Sequence, residues 1–432
     1  MDRAGSSALS GGELYLGGGT AIQQACGFSD TADDMFDFLS TALGPHADLE
    51  KVRLYCYGSV DHYEWLVSCG VVIQPTMFEG RARMPATTDG LKWLGENARP
   101  YNEIAKPAPR GHRGPVPMST GQLLMDTLVA HASSPGVSVE VDTRATSLIV
   151  EDGRVVGVNA RRYGADESFR ADSVVLTTGG FVDNEQMLAD HAPSLLGHGK
   201  VSDGLDDGSG ILMAQGRRRR HPPDVDDRSG LHRAARDGLP RDAGQLPGPS
   251  LHQRRRLSRT LQPRGTRPAR PLLGDHRRGR SRGDHGHWGI HPSFAAETPE
   301  ELAADLSIPA SAFAATVASY NRDAVNGQDP MFHKDSRWLR PLTGGLAAFD
   351  PRLGFFPTST TVPGTGFSGF TLGGLHTTPD GHVLSMTGER IPGLYAAGRA
   401  SSGMHGERYI SGTSLGDGTF FGRRAGRTAA AS

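Results

Sequence analysis

The run Gly393–Gly426 constrains this chain more than any other segment. It opens as Gly393-Leu-Tyr-Ala-Ala-Gly-Arg399, passes through Tyr409-Ile-Ser-Gly-Thr-Ser-Leu415, and continues as an apolar-periodic stretch over Leu415–Ala430. A short apolar strand that ends in Ala-Gly lets backbone approach a ligand at the strand's carboxyl end, where open α/β sheets bind their ligands. The loop then enters a helix N-terminus, whose free N–H groups and dipole stabilise negative charge. A tight strand–turn–helix without any ligand uses the same residues, but the length of the run favours the ligand.

Upstream, residues 1–20 are rich in Gly and Ser, with Gly5-Ser-Ser-Ala-Leu-Ser-Gly-Gly12 followed by Gly17-Gly-Gly19. Asp30 and Thr31 are capping residues for a helix over Ala32–Leu43, and Ala47–Cys69 carries apolar residues at helical spacing, among them Tyr55, Tyr57, His62 and Trp65, which read as packing residues. Thr120–Ala132 predicts another amphipathic helix. Val137–Val141, Ala145–Val150 and Arg154–Ala160 alternate as strands, with Glu151-Asp-Gly153 as a hairpin turn. Ser173–Thr177 reads as a buried parallel strand entering the turn Thr178-Gly-Gly-Phe181. Asp207-Gly-Ser-Gly210 opens a helix at Ile211. Further on, Thr298-Pro-Glu-Glu301 is a capping-box signature ahead of helices over Thr298–Ala304 and Ala310–Tyr320, Gly366–Thr378 is Gly-rich and extended, and His382–Leu384 is a short strand.

Gly216–His287 is different in kind. It contains nineteen Arg, one Val, and no Lys, Ile, Phe, Tyr or Trp, too little apolar surface to offset the entropy of ordering. Translation in a shifted reading frame accounts for it best. Gln253-Arg-Arg-Arg-Leu-Ser-Arg-Thr260 can be encoded so that dropping one base yields N-E-D-V-Y-P-G, and the string continues as apolar, aromatic-containing sequence. Two alternatives stay open: a solvated linker, and an Arg-rich nucleic-acid-binding insert. Against the insert, such tracts interleave Lys, aromatics or repeats.

The formal net charge of −1 supplies no global field for nucleic acid or an anionic membrane. Three cysteines, Cys26, Cys56 and Cys69, without a CxxC pair indicate neither a disulfide framework nor a zinc site and fit a reducing cytoplasm. No apolar run reaches the roughly 18 residues that span a bilayer, and no signal peptide is evident.

Gly393–Gly426 resembles the closing FAD segment of the fumarate reductase and succinate dehydrogenase flavoproteins, and resembles more closely still that of the 3-oxosteroid 1-dehydrogenases. Other segments agree in order. Ser6-Ser-Ala-Leu-Ser-Gly-Gly12 resembles the family's Ser/Gly loop beside the pyrophosphate and flavin. Thr143–Thr146 is similar to its strand edge near the adenine, and Leu176-Thr-Thr-Gly-Gly-Phe181 to its ATGGF turn. Asp207-Gly-Ser-Gly210 is similar to its TGDG and Leu372-Gly-Gly-Leu-His376 to its GGL segment. The resemblance covers about 1–215 and 288–432. It implies an α/β fold: a Rossmann-like FAD-binding domain over 1–215 and 343–432, interrupted by a cap domain over 216–342. By resemblance, FAD contacts fall on Ser6, Ser7, Ser10, Gly11, Gly12, Ala145, Thr178, Gly179, Gly180, Ser209, Ala397, Gly398, Arg399, Ser414 and Leu415. No metal is implied. The family's first βαβ unit, with GxGxxG and a ribose-binding acidic residue, is missing: the chain opens at Met1-Asp-Arg-Ala, which leaves only Asp2 for the ribose and suggests a misplaced start codon.

Flavin chemistry moves a hydride to or from a substrate carbon and needs an acid/base residue for the accompanying proton. Where fumarate reductases carry a carboxylate-clamping Arg, this chain has Tyr409, and where they carry a His ahead of TxGG it has Phe370. Tyr cannot match a carboxylate bidentately, so both changes favour a small apolar ketone. The 3-oxosteroid dehydrogenases have Tyr in a Y-P-G-P-G loop; here Ile410 and Thr413 replace its Pro and final Gly. The resemblance makes Tyr409 the catalytic residue, polarising a carbonyl or transferring a proton, against an amphipathic wall residue. A second Tyr, expected in the cap, falls in the alternative-frame string. His405 and His376 read mainly as structural hydrogen-bonding residues. The electron acceptor is left unassigned. The competing expectation is a defective gene product that binds no FAD.

Overall fold

A computed structural model describes residues 5–80, 82, 84–133, 136–216, 294–348 and 368–432. Asp2 and almost all of the Arg-rich stretch 216–287 lie outside the described residues. The chain divides into two units: Met1–Leu196 with Lys200–Leu246 and Gly369–Ser432, and Gly197–Gly199 with Pro247–Ser368.

The first unit is α/β. Its parallel element pairs Val174–Leu176 with the end of strand Arg390–Ala396 in the register Leu394↔Val174, Tyr395↔Val175 and Ala396↔Leu176, with His382–Leu384 antiparallel on the other side. This is the buried strand expected from Ser173–Thr177; Leu176, Leu394 and Ala396 share a core with Phe181, Leu188 and Ile211. A second sheet orders Leu14–Tyr15, Gly111–His112, Leu91–Lys92 and Met77–Phe78. A third is the antiparallel meander Thr143–Glu151, Arg154–Arg162 and Ala165–Arg170. Its first hairpin turns at Asp152 (φ 48°) and Gly153 (φ 78°), the left-handed pair that matches strand twist.

Two expectations need correction. Ala47–Cys69 is not one helix but two, Leu49–Tyr57 and Ser59–Ser68. The break falls at Gly58, where a Cβ would lie 2.7 Å from the Phe420 ring and 3.0 Å from the Leu54 carbonyl, so the chain turns where only glycine clears the C-terminal helix. Val137–Val141 alternates but is not a strand: its valines are 57%, 53% and 46% exposed and no described strand pairs with it. Alternation specifies a pleat, and a strand also needs a partner ladder.

Helix Ala32–Ala42 starts on Thr31, whose side chain accepts from the Asp34 N–H. It packs with Tyr15, Tyr55, Met404, Phe420 and Phe421 in the core that carries the C-terminal helix Thr413–Ala430. Tyr55 meets Phe420 edge-on, and His62 lies between Trp65 and Phe420; these are packing residues, as their spacing indicates. Tyr57 is exposed.

The second unit contains strand Phe294–Ala296 paired antiparallel with Leu346–Ala348 and helices Pro299–Asp305 and Ala310–Val325, around Leu302, Val317, Leu342 and Leu346. The Thr298/Glu301 capping box is formed.

Candidate functional site

The site grows from the end of strand Arg390–Ala396. The Ala397 N–H donates to the Leu176 carbonyl at 3.1 Å, carrying the strand's pairing one residue further. Gly398 then turns at φ 64°, and a Cβ there would sit 3.6 Å from Cα of Gly418, while one on Gly418 would sit 3.8 Å from Cα of Gly398. Strand end and helix thus face each other without side chains between them. The C-terminal helix begins at Thr413 on an N-cap Gly412 at φ 86°, and no side chain caps it. The first-turn N–H groups, including those of Ser414 and Leu415, have no side-chain acceptor, the condition that suits a bound anion at a long helix.

A row of side chains spans the loop between strand and helix. Arg399 lies over the Phe370 ring at 5.8 Å. Phe370 meets Tyr409 perpendicular at 5.3 Å, and Tyr409 lies against His405 at 5.9 Å. His405 Nε2 is 2.9 Å from Thr413 Oγ1, whose own proton goes to the Ile410 carbonyl at 2.6 Å. Thr413 has one proton, so His405 must donate through Nε2–H, leaving Nδ1 unprotonated. Burial pushes this imidazole down to about 4, so it is neutral at ordinary pH. Its hydrogen bond is internal to the loop, while His376 is exposed and offers its carbonyl to the Leu384 N–H.

The two ends of the loop rest on different carboxylates. Buried Asp417 accepts the Met404 N–H at 3.1 Å, and a Cβ on Gly403 would lie 3.0 Å from its Oδ1. Burial raises this carboxyl to about 6, partly opposed by the charge of Lys51. Lys51 donates to Thr377 Oγ1 at 3.1 Å and is 3.7 Å from Asp48, so it acts on Asp417 by charge and not by contact. At the other end Ser411 donates to Glu13 Oε2 at 2.7 Å, and Glu13 Oε1 is 2.5 Å from Lys92 Nζ.

The expected cofactor contacts separate into groups. Gly179, Gly180 and Arg399 come together around Asp206, while Thr178 lies against Gly210: Arg399 pairs with Asp206 Oδ2 at 2.6 Å, and Gly179 at φ 75° has no room for a Cβ against its Oδ1. Ser6 joins them, its hydroxyl 3.2 Å from both Asp203 Oδ1 and Asp206 Oδ2, which share its one proton. Ser209 starts the helix Ser209–Ala214 beside Asp207, which also pairs with Arg144 at 2.7 Å, next to Ala145. Ser7, Ser10, Gly11 and Gly12 lie elsewhere, against Ser119–Gly121: the Thr120 N–H donates to the Gly11 carbonyl, Ser119 to the Ser10 carbonyl, and a Cβ on Gly121 would strike the Ser7 and Ser10 carbonyls. Asp206, Asp417, Glu13 and Lys92 were missed in the sequence. Asp417 leaves a faint signal, a carboxylate flanked by Gly416 and Gly418.

The model of a family described as FAD binding domain matches residues 3–415. The chain belongs to this family of flavoproteins, whose cofactor is FAD. The structure of 3-ketosteroid-delta4-(5alpha)-dehydrogenase from Rhodococcus jostii RHA1, in complex with 4-androstene-3,17-dione, is 38% identical with a TM-score of 0.78, over 99% of this chain and 89% of that one. NADH:fumarate oxidoreductase of Klebsiella pneumoniae is 26% identical over 79% of this chain, which spans only 37% of that protein's length. The 4-oxocyclohexanecarboxylate 2-dehydrogenase of Sinomonas cyclohexanicum is 27% identical over 99% of this chain and 86% of its own.

The residues at the helix end fit the flavin half of FAD: the uncapped first turn offers N–H donors, and Gly398 and Gly418 let strand end and helix approach backbone to backbone. The Arg399 cluster is less clearly suited to phosphate, because Asp206 already neutralises its guanidinium. Among the described residues no group of three or more His, Cys, Asp or Glu is arranged to hold a metal, and no helix is long and apolar enough to cross a membrane.

Proposed function

We propose that this chain is an FAD-dependent oxidoreductase acting on a C–C bond beside a ketone, with a small apolar, steroid-like substrate and Tyr409 as its catalytic residue. The observation that carries this reading is the replacement of charge by aromatic surface around Tyr409, which touches Phe370 and His405. A phenol can donate to a developing enolate oxygen or pass a proton, and an apolar wall strengthens that hydrogen bond. The guanidinium that lies over Phe370, that of Arg399, is already paired with Asp206 and so is not available to clamp a dicarboxylate. The ketosteroid held by the 38% identical dehydrogenase supports the same substrate class.

FAD, when bound, supplies hydride transfer at its N5. In this reading Ala397, Gly398, Ser414 and Leu415 hold its flavin end. Thr178, Gly179, Gly180, Arg399, Ser209 and Ala145 lie toward its adenosine half, with Ser6, Ser7, Ser10, Gly11 and Gly12 along its length. Residues 1–215 and 369–432 form the Rossmann-like flavin domain, and the cap runs past 342 to take in strand Leu346–Ala348, which pairs with Phe294–Ala296; the protein is cytoplasmic and without nucleic-acid partners.

Purified protein is expected to absorb near ~450 nm, and to bleach anaerobically when mixed with a saturated 3-ketosteroid. Protein that stays colourless with added FAD overturns the reading for this chain. Bleaching with succinate but not with the steroid overturns the substrate class. For residues 216–287, genomic DNA with compensating single-base shifts near codons 216 and 287 is the outcome expected from a frame error.

A further inference from the structure

Tyr409 sits in a loop whose helix end is seated on one short strand, and the seat is electrically unusual. Three contacts converge there: Ser411 donates to Glu13 at 2.7 Å, the Tyr15 N–H donates to the Gly412 carbonyl at 3.1 Å, and a Cβ on Gly412 would lie 2.8 Å from the Tyr15 nitrogen. Glu13 directly precedes strand Leu14–Tyr15, and Lys92 ends strand Leu91–Lys92 of the same sheet. Both side chains are about 5% exposed, and their ion pair is 2.5 Å long. A buried ion pair adds little net stability over an apolar pair of equal volume, so its stability alone does not explain it. Its geometry is more informative. One carboxylate oxygen is held by the ammonium, which aims the other oxygen at Ser411, two residues beyond Tyr409.

We infer that the Glu13–Lys92 pair is a positioning element for Tyr409, holding the loop through Ser411 so that the phenol meets the substrate carbonyl. The inference rests on the catalytic role proposed for Tyr409. Ser411 is an anchor in it: its proton is committed to Glu13. A displacement of about 1 Å at a reacting group costs on the order of a hundredfold in rate, so a slackened anchor should register in kcat before it registers in binding.

The test uses the full-length holoenzyme and two double variants, each removing both charges so that no lone buried charge remains. Glu13→Leu/Lys92→Met has no acceptor for Ser411; Glu13→Gln/Lys92→Met keeps one. The Leu/Met variant is expected to retain its flavin absorbance and melting temperature, to lose about tenfold in kcat, and to keep KM within about twofold. The Gln/Met variant is expected to recover most of the loss. In a Tyr409→Phe background the Leu/Met change is expected to cost nothing further, which a general structural defect would not reproduce. Wild-type kcat in the Leu/Met variant, beside an impaired Tyr409→Phe, overturns the inference. A fully active Tyr409→Phe overturns the underlying reading of Tyr409 instead. If the Leu/Met variant does not fold, Ser411→Ala with Glu13 and Lys92 intact carries the test: lost kcat, absent in the Tyr409→Phe background, supports the inference, and unchanged kcat overturns it.

Discussion

The two ends of the Tyr409 loop are both held by buried carboxylates, but among the described residues only one of these has a cation in contact. Glu13 has Lys92 at 2.5 Å. Asp417 has the Met404 N–H, while Lys51 spends its hydrogen bond on Thr377 and influences Asp417 only by its charge. The difference shows what a carboxylate costs in each setting. A partnered carboxylate exchanges hydration for an ion pair; one held by a single neutral donor loses hydration with less return, so burial pushes its proton affinity up. The strand end is therefore a clamp with a protonation state. Burial also pushes Lys51 down, opposed by the charges of Asp48 and Asp417.

The most severe way to break the helix-end clamp is Gly412→Val. A β-branched residue at φ 86°, with its Cβ 2.8 Å from the Tyr15 nitrogen, is expected to cost about 3 kcal/mol or more; chemical denaturation and flavin content measure it. Tyr409→Phe leaves both clamps in place and removes the group they present. It should lower kcat by about a hundredfold with the melting temperature nearly unchanged; activity equal to wild type would make Tyr409 a wall residue.

Asp417→Asn sharpens the contrast at the strand end. The folded state holds the Asp417 proton up to about pH 6, above the ordinary carboxyl value, so it binds more protons there than the unfolded chain. The contribution of Asp417 to wild-type stability then falls as pH rises from about 4 to about 6, by up to about 2–3 kcal/mol, and stays low above that. The asparagine variant keeps an acceptor for Met404 and should lose this fall, gaining on wild type as pH rises. Parallel pH dependence of the two proteins in urea titrations would refute the assignment. The smallest effect is expected at His405. Its hydrogen bond to Thr413 contributes about 1 kcal/mol, and because its imidazole is neutral down to about 4, His405→Gln should leave the pH–rate profile between pH 5 and 8 without a lost limb.

Much of the architecture was legible from local residues. Thr31, the Thr298/Glu301 box and Asp152-Gly153 work through bonds within a few residues, and each forms as its pattern indicates. The strand from Ser173–Thr177 and the strand–loop–helix of Gly393–Gly426 were legible for the same reason. Reading failed where a distant partner decides. The helical pattern of Ala47–Cys69 contains no sign that Phe420 will press on Gly58, and the alternation of Val137–Val141 cannot report that no described strand pairs with it. Within the site, Ser6 and Ser10 both belong to one Ser/Gly loop, yet Ser6 turns to Asp203 and Asp206 while Ser10 bonds the Ser7 carbonyl and lies against Ser119.

By itself, then, the sequence determined the cofactor class and the strand–loop–helix of Gly393–Gly426, because strand end, glycines and helix start are contiguous and their backbone chemistry is local. Its resemblance to the fumarate reductases also set Tyr409 and Phe370 against that family's carboxylate-binding residues. Only the tertiary structure decided what holds Tyr409. Ser411 and Glu13 are 398 positions apart, and Asp417 gains its raised proton affinity from burial by segments hundreds of residues away. Contacts of that range depend on how whole elements pack, and no local periodicity encodes them.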